Sequence, residues 1–454
     1  MHHITEPSRP TAQTRVPLTR IATTPTLPPN ADVVVIGANI VGVFTASFLA
    51  KRGMKVALVE KGIVGGEQSS RNWGWCQQQN RDARELPIAT ASLRPWERFE
   101  AESGETTGFG RSGLLYLCND DSELATWTHW CEFARTAGVR TGVLGSKQAT
   151  EKSAAPGRMW KGGVFAPTDG IGDPANAAPA VARSVMKQAA TVHQNCAACG
   201  IVTSGGRVSG VVTDYGTIRT MTVVLAGGAW ASTFCRQAGI RLPRAAIRSS
   251  LMSVSLPGGN PPDALHTSAI TTTRRGDGTY TVAISGLGKL DLTLQKLRYA
   301  KDFMPMLRSR RRSLRPGNME GVRSGHERTG RWRLDAPTLM ENMQVLDPCV
   351  DEATLREIRK RAIDLCPVIG ESQIAASWTG YIDTTPDGVP AIGEMKELPG
   401  LVLAAGLSGH GFGIGPGCGH LVADLVTGAK PIVDPEPYRP AQLNESVWGK
   451  VPDF

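Results

Sequence analysis

With 454 residues, 41% of them hydrophobic and 20% charged, and a mean hydropathy of -0.16, the chain has the composition of a folded globular protein, which excludes fibrous and disordered classes. That length exceeds what one hydrophobic core fills comfortably, so two domains are expected. A net charge of +9 and a pI of 9.2 permit an anionic partner without specifying one, and no stretch approaches the roughly 18 apolar residues of a membrane helix.

Residues 1–30 carry several Pro and Thr, scattered Arg and no apolar run, so they read as a mobile arm without a signal peptide. Val33-Val34-Val35-Ile36 then predicts a strand buried on both faces of a parallel sheet. Gly37 follows for the tight turn, Gly42 for close helix–strand packing, and Val43 to Arg52 reads as a helix ended by Gly53. A second buried strand, Lys55 to Val59, ends in Glu60, completing a βαβ unit of the Rossmann type within about thirty residues. The helix start at Asn39, Ile40 and Val41 offers free N–H groups and a positive dipole end to a pyrophosphate. Glu60, with Lys61 beside it, faces the ribose; a carboxylate there argues against a 2′-phosphate and hence against NADP. Asn39 occupies the second glycine position, where asparagine is expected to tolerate a left-handed backbone.

Downstream, the loop Gly65 to Trp75 follows the second strand, and Arg207 to Thr213 alternates as another. Thr222 to Trp230 reads as a buried strand and a glycine turn, and Leu401 to Ile414 as a strand entering a glycine-rich turn and a helix through Val426. Nine cysteines form an odd set without a disulfide rhythm, which favours a reducing, cytoplasmic location. Cys196 and Cys199 are the one close pair; with no second ligand pair they read as strand residues, and no metal is expected. From Lys289 to Arg333, basic residues alternate with leucines and methionines as in an amphipathic helix. A solvated face or subunit interface is the preferred reading, peripheral membrane contact the alternative. Nucleic acid is not expected, because no recognition module or set of stacking aromatics accompanies the charge.

Together these segments resemble the D-amino-acid oxidase family of flavoproteins, which includes glycine oxidase, sarcosine oxidases and D-amino-acid dehydrogenases. The resemblance runs from Asp32 to about Gly428, firm at both ends and looser near 100–165 and 240–370. It implies a mixed α/β fold: a Rossmann-type FAD domain with a parallel sheet, assembled from 31–100, 170–240 and 375–435. A mostly antiparallel substrate domain with a helical excursion is inserted at 101–169 and 241–374, and 436–454 forms a tail. Gln68, Ser69, Ser70, Arg71, Asn72, Trp73 and Gly74 are implied to lie along the flavin and its phosphates, and Ala198 against the adenine. Ala226, Gly227 and Trp230 are implied beside the pyrophosphate. After Gly406 and Gly409, the amides of His410, Gly411, Phe412, Gly413 and Ile414 are implied to face the flavin N1/O2 edge. Covalent attachment in some relatives uses a cysteine before Thr385-Pro386-Asp387; none lies between Gln373 and Thr385, so noncovalent FAD is expected.

Many D-amino-acid members carry a carboxylate-binding arginine where this chain has Ile382. Arg71, Arg81 and Arg84 are the replacement candidates, Arg81 first, with a surface salt bridge to Asp82 or Glu85 as the competing reading. The runs Arg71–Cys76 and Ile382–Asp387 are similar to bacterial L-amino-acid oxidases or dehydrogenases of this family. The implied reaction moves a hydride from the substrate Cα to flavin N5, leaving an imino acid that hydrolyses to an oxo acid and ammonia. Oxygen, giving hydrogen peroxide, or another acceptor then takes the electrons. Trp75, Trp378 and Tyr381 are candidate pocket walls, Cys76 a packing residue, and His410 a secondary contributor. D-amino acids, secondary amines, 2-hydroxyacids and a non-enzymatic flavin subunit are the alternatives, and a homo-oligomer, a dimer, is expected.

Overall fold

Four β-branched residues in succession, Val33–Ile36, form a strand whose every side chain is buried, and the two faces feed two separate cores. Val33 and Val35 point into one cluster, Val34 and Ile36 into the other, as period-2 alternation in a sheet covered on both sides requires. The computed structural model describes residues 16–154, 158–256, 261–367, 369 and 372–445. Around that central strand lies a six-stranded sheet in the order Ala391–Glu394, Leu401–Ala405, Val223–Leu225, Val33–Ile36, Val56–Val59, Ala190–His193. All its pairings are parallel except the first. Helices Ile40–Lys51, Leu86–Ser103, Ala177–Met186 and Gly411–Thr427 fill one core, and the small sheet 198–219 with helix Ala231–Gln237 fills the other.

A second sheet of ten strands holds the segments 114–166 and 245–316, mostly antiparallel. Its long seam pairs Ala245–Ser255 with Gln373–Thr384, from Ala245 opposite Thr384 to Ser255 opposite Gln373. Residues 375–384 were expected in the nucleotide domain; the ladder of strand Gln373–Thr384 lies in the other sheet, and the chain returns to the parallel sheet only at Ala391. One face of this sheet packs Met252, Val254 and Val282 against Leu355, Ile358 and Ala362 of helix Glu352–Leu365. The opposite face brings Leu251 and Trp378 against Trp73 of the glycine-rich loop.

The basic segment is not one amphipathic helix. It breaks into strand Gly288–Leu290, helices Leu294–Arg298 and Ala300–Ser309, and strand Leu314–Pro316, which pairs parallel with the first. Thr293 starts the first helix by capping the Lys296 amide, and Tyr299 both ends it and starts the second. Phe303 and Met306 of that second helix pack with Tyr299 and Ala245, Leu307 lies partly buried against them, and Pro305 is buried too. Residues 16–30, expected as part of a mobile arm, instead lie along the sheet edge: Thr24 N–H donates to the Val192 carbonyl at 2.7 Å and Val192 N–H to Thr24 Oγ1 at 3.0 Å. Residues 1–15 lie outside the described residues. Of the expected tail, Tyr438 is fully buried and its hydroxyl donates to the Arg84 carbonyl at 2.6 Å. No helix among the described residues is long and apolar enough to cross a membrane.

Candidate active site

A cleft of about 1250 Å³, counting its open mouth, runs along the carboxyl ends of the parallel strands. Glu60, Lys61, Ala198, Phe234, Met340 and Leu346 line one end. Gly37, Asn39, Ile40, Gln68, Ser69 and the turn Ala226–Trp230 line the middle. Arg71, Asn72, Gly380 to Asp383, Leu407, Gly409, Gly411 and Phe412 close the other end.

Gly37 adopts φ +100°, and a Cβ there would fall under 3.0 Å from the Ala226 carbonyl oxygen of the neighbouring strand. A Cβ on Gly42 would meet the Gly37 carbonyl oxygen just as closely, so both glycines are required by backbone approach. Asn39 is not left-handed: at φ -75° and ψ 177° it is an extended N-cap whose Oδ1 accepts from the Val41 and Gly42 amides, both at 3.1 Å. Its Nδ2 donates to the Ala226 carbonyl, tying the first turn to the third strand. The Ile40 amide donates to Ser69 Oγ at 2.9 Å. The Ile40, Val41 and Gly42 amides at this helix start are therefore already taken by side-chain oxygens, not bare.

At the ribose end, Glu60 accepts from the Ala38 amide at 2.8 Å and the Gly62 amide at 2.9 Å, and each oxygen keeps a lone pair for a hydroxyl. Burial pushes its carboxyl up, against the lowering pull of Lys61. Lys61 spends its three N–H groups on Glu67 Oε1 and the carbonyls of Met343 and Gln344, over the face of Trp230 at 4.5 Å. It clamps the loop instead of offering a charge to a phosphate. Trp230 Nε1 donates to the same Glu67 oxygen at 3.1 Å.

The glycine-rich loop is held by its own side chains. Ser70 Oγ donates to the Glu67 carbonyl, Asn72 Nδ2 donates to the Ser69 carbonyl at 2.7 Å, and the Gly74 amide donates to Asn72 Oδ1 at 2.7 Å. Gln68 Oε1 is buried without a partner. Arg71 bonds to Asp347 and the carbonyls of Thr379 and Gly66 but keeps a buried Nε without a partner among the described residues, while Arg84 is held by Asp82 and Asp387. Arg81, the first carboxylate candidate, is buried 3.6 Å from Glu85, so the competing pair is internal and not at the surface, and its Nε and Nη1 have no hydrogen-bond partner among the described residues.

At the far end, Gly406 N–H donates to Asp383 Oδ2 at 2.7 Å, and Ser408 N–H to the Asp383 carbonyl at 2.7 Å. This fixes the turn through Gly409 into helix Gly411–Thr427, with His410 as its N-cap residue. Ile414 N–H is spent on the His410 carbonyl, whereas the amides of Gly411, Phe412 and Gly413 have no acceptor among the described residues. Three bare amides at a helix start fit an electron-rich edge of a bound group. Tyr381 lines the cleft and donates to Asp291 Oδ2 at 3.2 Å, while Trp378, on the other face of the same strand, is buried with its Nε1 on the Arg71 carbonyl. Ile382 presents an apolar side chain to the cleft.

Sequence reasoning missed three groups. Arg275, in the hairpin Thr271–Ala283, is 5% exposed, stacks its guanidinium 5.2 Å over Trp378, donates to Thr281 Oγ1 and leaves Nη2 without an acceptor among the described residues. Arg244, 1% exposed, pairs with Asp383 at 3.2 Å and Glu327 at 3.7 Å. Glu85 holds His410 Nδ1 at 2.8 Å. None lies in a motif, and all but Glu85 fall where the resemblance is loose. All nine cysteines are free; burial pushes the Cys76 thiol well up, so it packs beside the loop as a neutral group.

Comparison with known proteins agrees with this geometry. A family model described as FAD dependent oxidoreductase matches residues 32–425. The chain is 28% identical to a glycine oxidase of Pseudomonas aeruginosa over 90% of this chain and 98% of that one. It is 25% identical to the mitochondrial sarcosine dehydrogenase of Homo sapiens, covering 93% of this chain and 42% of that longer one. Among solved structures, the L-amino acid deaminase of Proteus myxofaciens, in complex with anthranilate, superposes with a TM-score of 0.88 at 29% identity, over 94% and 97% of the two chains. The deaminase of Proteus vulgaris gives 0.87 at 27%, over 93% and 99%. With the family match spanning both glycine turns and everything between them, this chain belongs to the DAO family of FAD-dependent oxidoreductases.

Proposed function

We propose that this chain oxidatively deaminates an amino acid, the L enantiomer preferred, with FAD held in the cleft without a covalent bond. The observation that carries the reading is Arg275: a buried guanidinium on the loop-facing side of the second sheet, stacked on Trp378, with one donor unmatched. Such a donor costs stability unless an acceptor arrives, and a substrate carboxylate is the matching acceptor. Arg275 thereby replaces the arginine missing at Ile382. Bound in the cleft, FAD supplies the acceptor for the hydride leaving the substrate Cα. The protein's part is to hold the carboxylate at Arg275, to wall the site with Ile382 and Tyr381, and to present the Gly411 to Gly413 amides. The imino acid then hydrolyses to an oxo acid and ammonia. The likeness to two L-amino acid deaminases favours the L enantiomer.

Anaerobic titration with paired enantiomers tests this. L-amino acids are expected to bleach the flavin and D-amino acids not. Arg275→Met is expected to weaken substrate binding about ten- to hundredfold, the worth of one charge-assisted bond. Faster bleaching by glycine or sarcosine would move the chain to the small-amine reading, which the glycine oxidase likeness would then explain.

We also propose that the face built from residues 292–323 rests on an anionic lipid surface. Leu292 and Leu294 are each 64% exposed and Leu297 58%, with Met319 and Val322 nearby. A groove lined by Leu290, Leu307 and Leu314 runs beside Arg311 and Arg315. Exposed leucines ringed by cations match an interfacial site. Sedimentation with phosphatidylglycerol-containing vesicles is expected, but not with pure phosphatidylcholine, and Leu294→Glu with Leu297→Glu is expected to abolish it. Equal failure with both vesicles would return the segment to a solvated face.

A further inference from the structure

We infer that Arg81, Glu85 and His410 form one proton-handling unit, in which Glu85 positions His410 to take a proton from the substrate's ammonium group. This rests on the amino-acid reading above. An amino acid enters at neutral pH mostly as its ammonium form. Its nitrogen lone pair must be free before the Cα hydride leaves, because that pair forms the C=N bond.

Glu85 is the N-cap residue of helix Leu86–Ser103 and only 2% exposed, and its two oxygens lie 2.9 and 2.8 Å from His410 Nδ1. An ionised carboxylate can only accept, so Nδ1 carries the hydrogen and Nε2 keeps its lone pair. Nε2 has no protein partner among the described residues, the imidazole is 35% exposed, and its flanking Gly409 and Gly411 line the cleft. Arg81 supplies the third charge. Its Nη1 lies 3.6 Å from Glu85, and its buried Nε and Nη1 make no hydrogen bond, so it acts as a close cation rather than a tether.

The other titratable groups around the unit are Arg310 at the C-cap of helix Ala300–Ser309, Cys418 and Tyr438 beside Glu85, and Tyr116 and Asp169 near Arg81. Burial holds the Cys418 thiol and both phenols neutral and pushes the Asp169 carboxyl up to about 6. Burial lowers the imidazole, Arg81 lowers it further, and Glu85 pulls the other way; the net direction is down, so His410 is neutral and ready to accept at neutral pH. Glu85 is held below the ordinary carboxylate range: burial would raise it, but His410 and Arg81 outweigh burial. In the step itself an ammonium N–H bond breaks and an Nε2–H bond forms, with no electron transferred. The proton leaves to solvent along the exposed edge of the ring.

The two flanking charges give opposite signs. Removing the cation in Arg81→Met raises the imidazole's pKa, and removing the anion in Glu85→Gln lowers it. The test is a 15N-histidine titration of the oxidised, FAD-loaded protein, with His410 identified by its absence in His410→Asn, alongside anaerobic flavin reduction by an L-amino acid against pH. The expected result is an Nδ1–H tautomer in the wild type. The acidic limb of the reduction rate moves to higher pH in Arg81→Met and to lower pH in Glu85→Gln, the latter with a plateau at least tenfold down. Arg81→Lys restores the wild-type limb, which a folding defect would not. Limbs that stay put, or move together, while the flavin is still reduced overturn the inference alone. Imidazole shifts of the expected sign with no amino acid reducing the flavin overturn instead the substrate reading on which it rests.

Discussion

Gly42→Ala is expected to purify without FAD and with a lowered unfolding midpoint. The added methyl meets the Gly37 carbonyl oxygen at under 3.0 Å, and that atom is backbone, with no rotamer to yield. Helix Ile40–Lys51 must therefore lift off strand Val33–Ile36, at an overpacking cost of about 3 kcal/mol. It takes with it the Asn39 caps and the Ile40–Ser69 bond that shape the middle of the cleft. Flavin absorbance per protein and a thermal scan read both consequences. In the wild type, the proposed noncovalent attachment predicts that acid precipitation leaves the chromophore in the supernatant. A variant with full flavin content and an unchanged midpoint would show that the turn is not the cofactor cradle.

Arg244→Met is expected to be the more damaging change for stability, although Arg244 lies in no motif. It leaves Asp383 and Glu327 without their shared cation in a site that is nearly dry, and breaking a buried pair in this way costs about 3–5 kcal/mol. Lys296, 3.1 Å from Glu327, softens the loss at one end only. Asp383 also anchors the Gly406 turn, so flavin retention should fall with stability.

The loss should depend on pH, with a definite sign. Glu327 sits below its ordinary pKa, since burial is outweighed by Lys296 and then Arg244; its contribution is present above the unfolded value and vanishes as pH falls through the folded one. Asp383 sits above its ordinary pKa because burial outweighs Arg244, so its ionised form already strains the fold and protonation relieves it. Without Arg244 both carboxyls move up. The gap between variant and wild-type midpoints should therefore be widest near neutral pH and narrow on acidification. A gap that does not change with pH would mean that lost packing, not unpaired charge, causes the damage.

These two residues mark how far the sequence could be read. Gly42 was legible because its reason is local: a strand, a turn and a helix within about thirty residues leave room for nothing larger. Arg244 was not, because its reason is the meeting of Glu327, 83 positions on, with Asp383, 139 positions on, across the seam of Ala245–Ser255 and Gln373–Thr384. The same contrast separates Asn39 from Arg275. Asn39 could be picked out as a departure from the glycine pattern, although the backbone it adopts was misjudged. Arg275 stands out only once the hairpin folds it over Trp378. The basic run was visible as composition, yet a hydrophobic pattern shared between strand and helix could not say that it breaks at Thr293 and Tyr299.

By itself, then, the sequence determined the dinucleotide cradle, the exclusion of a 2′-phosphate through Glu60, and the vacancy at Ile382, because each follows from side-chain size or charge at a position set by local periodicity. Only the tertiary structure decided that Arg84 is held by Asp82 and Asp387, that Arg275 keeps a donor, and that Glu85 reaches His410 from 325 positions away. Whether a buried charge is available depends on which partners the fold brings within about 4 Å, and local spacing carries no record of that.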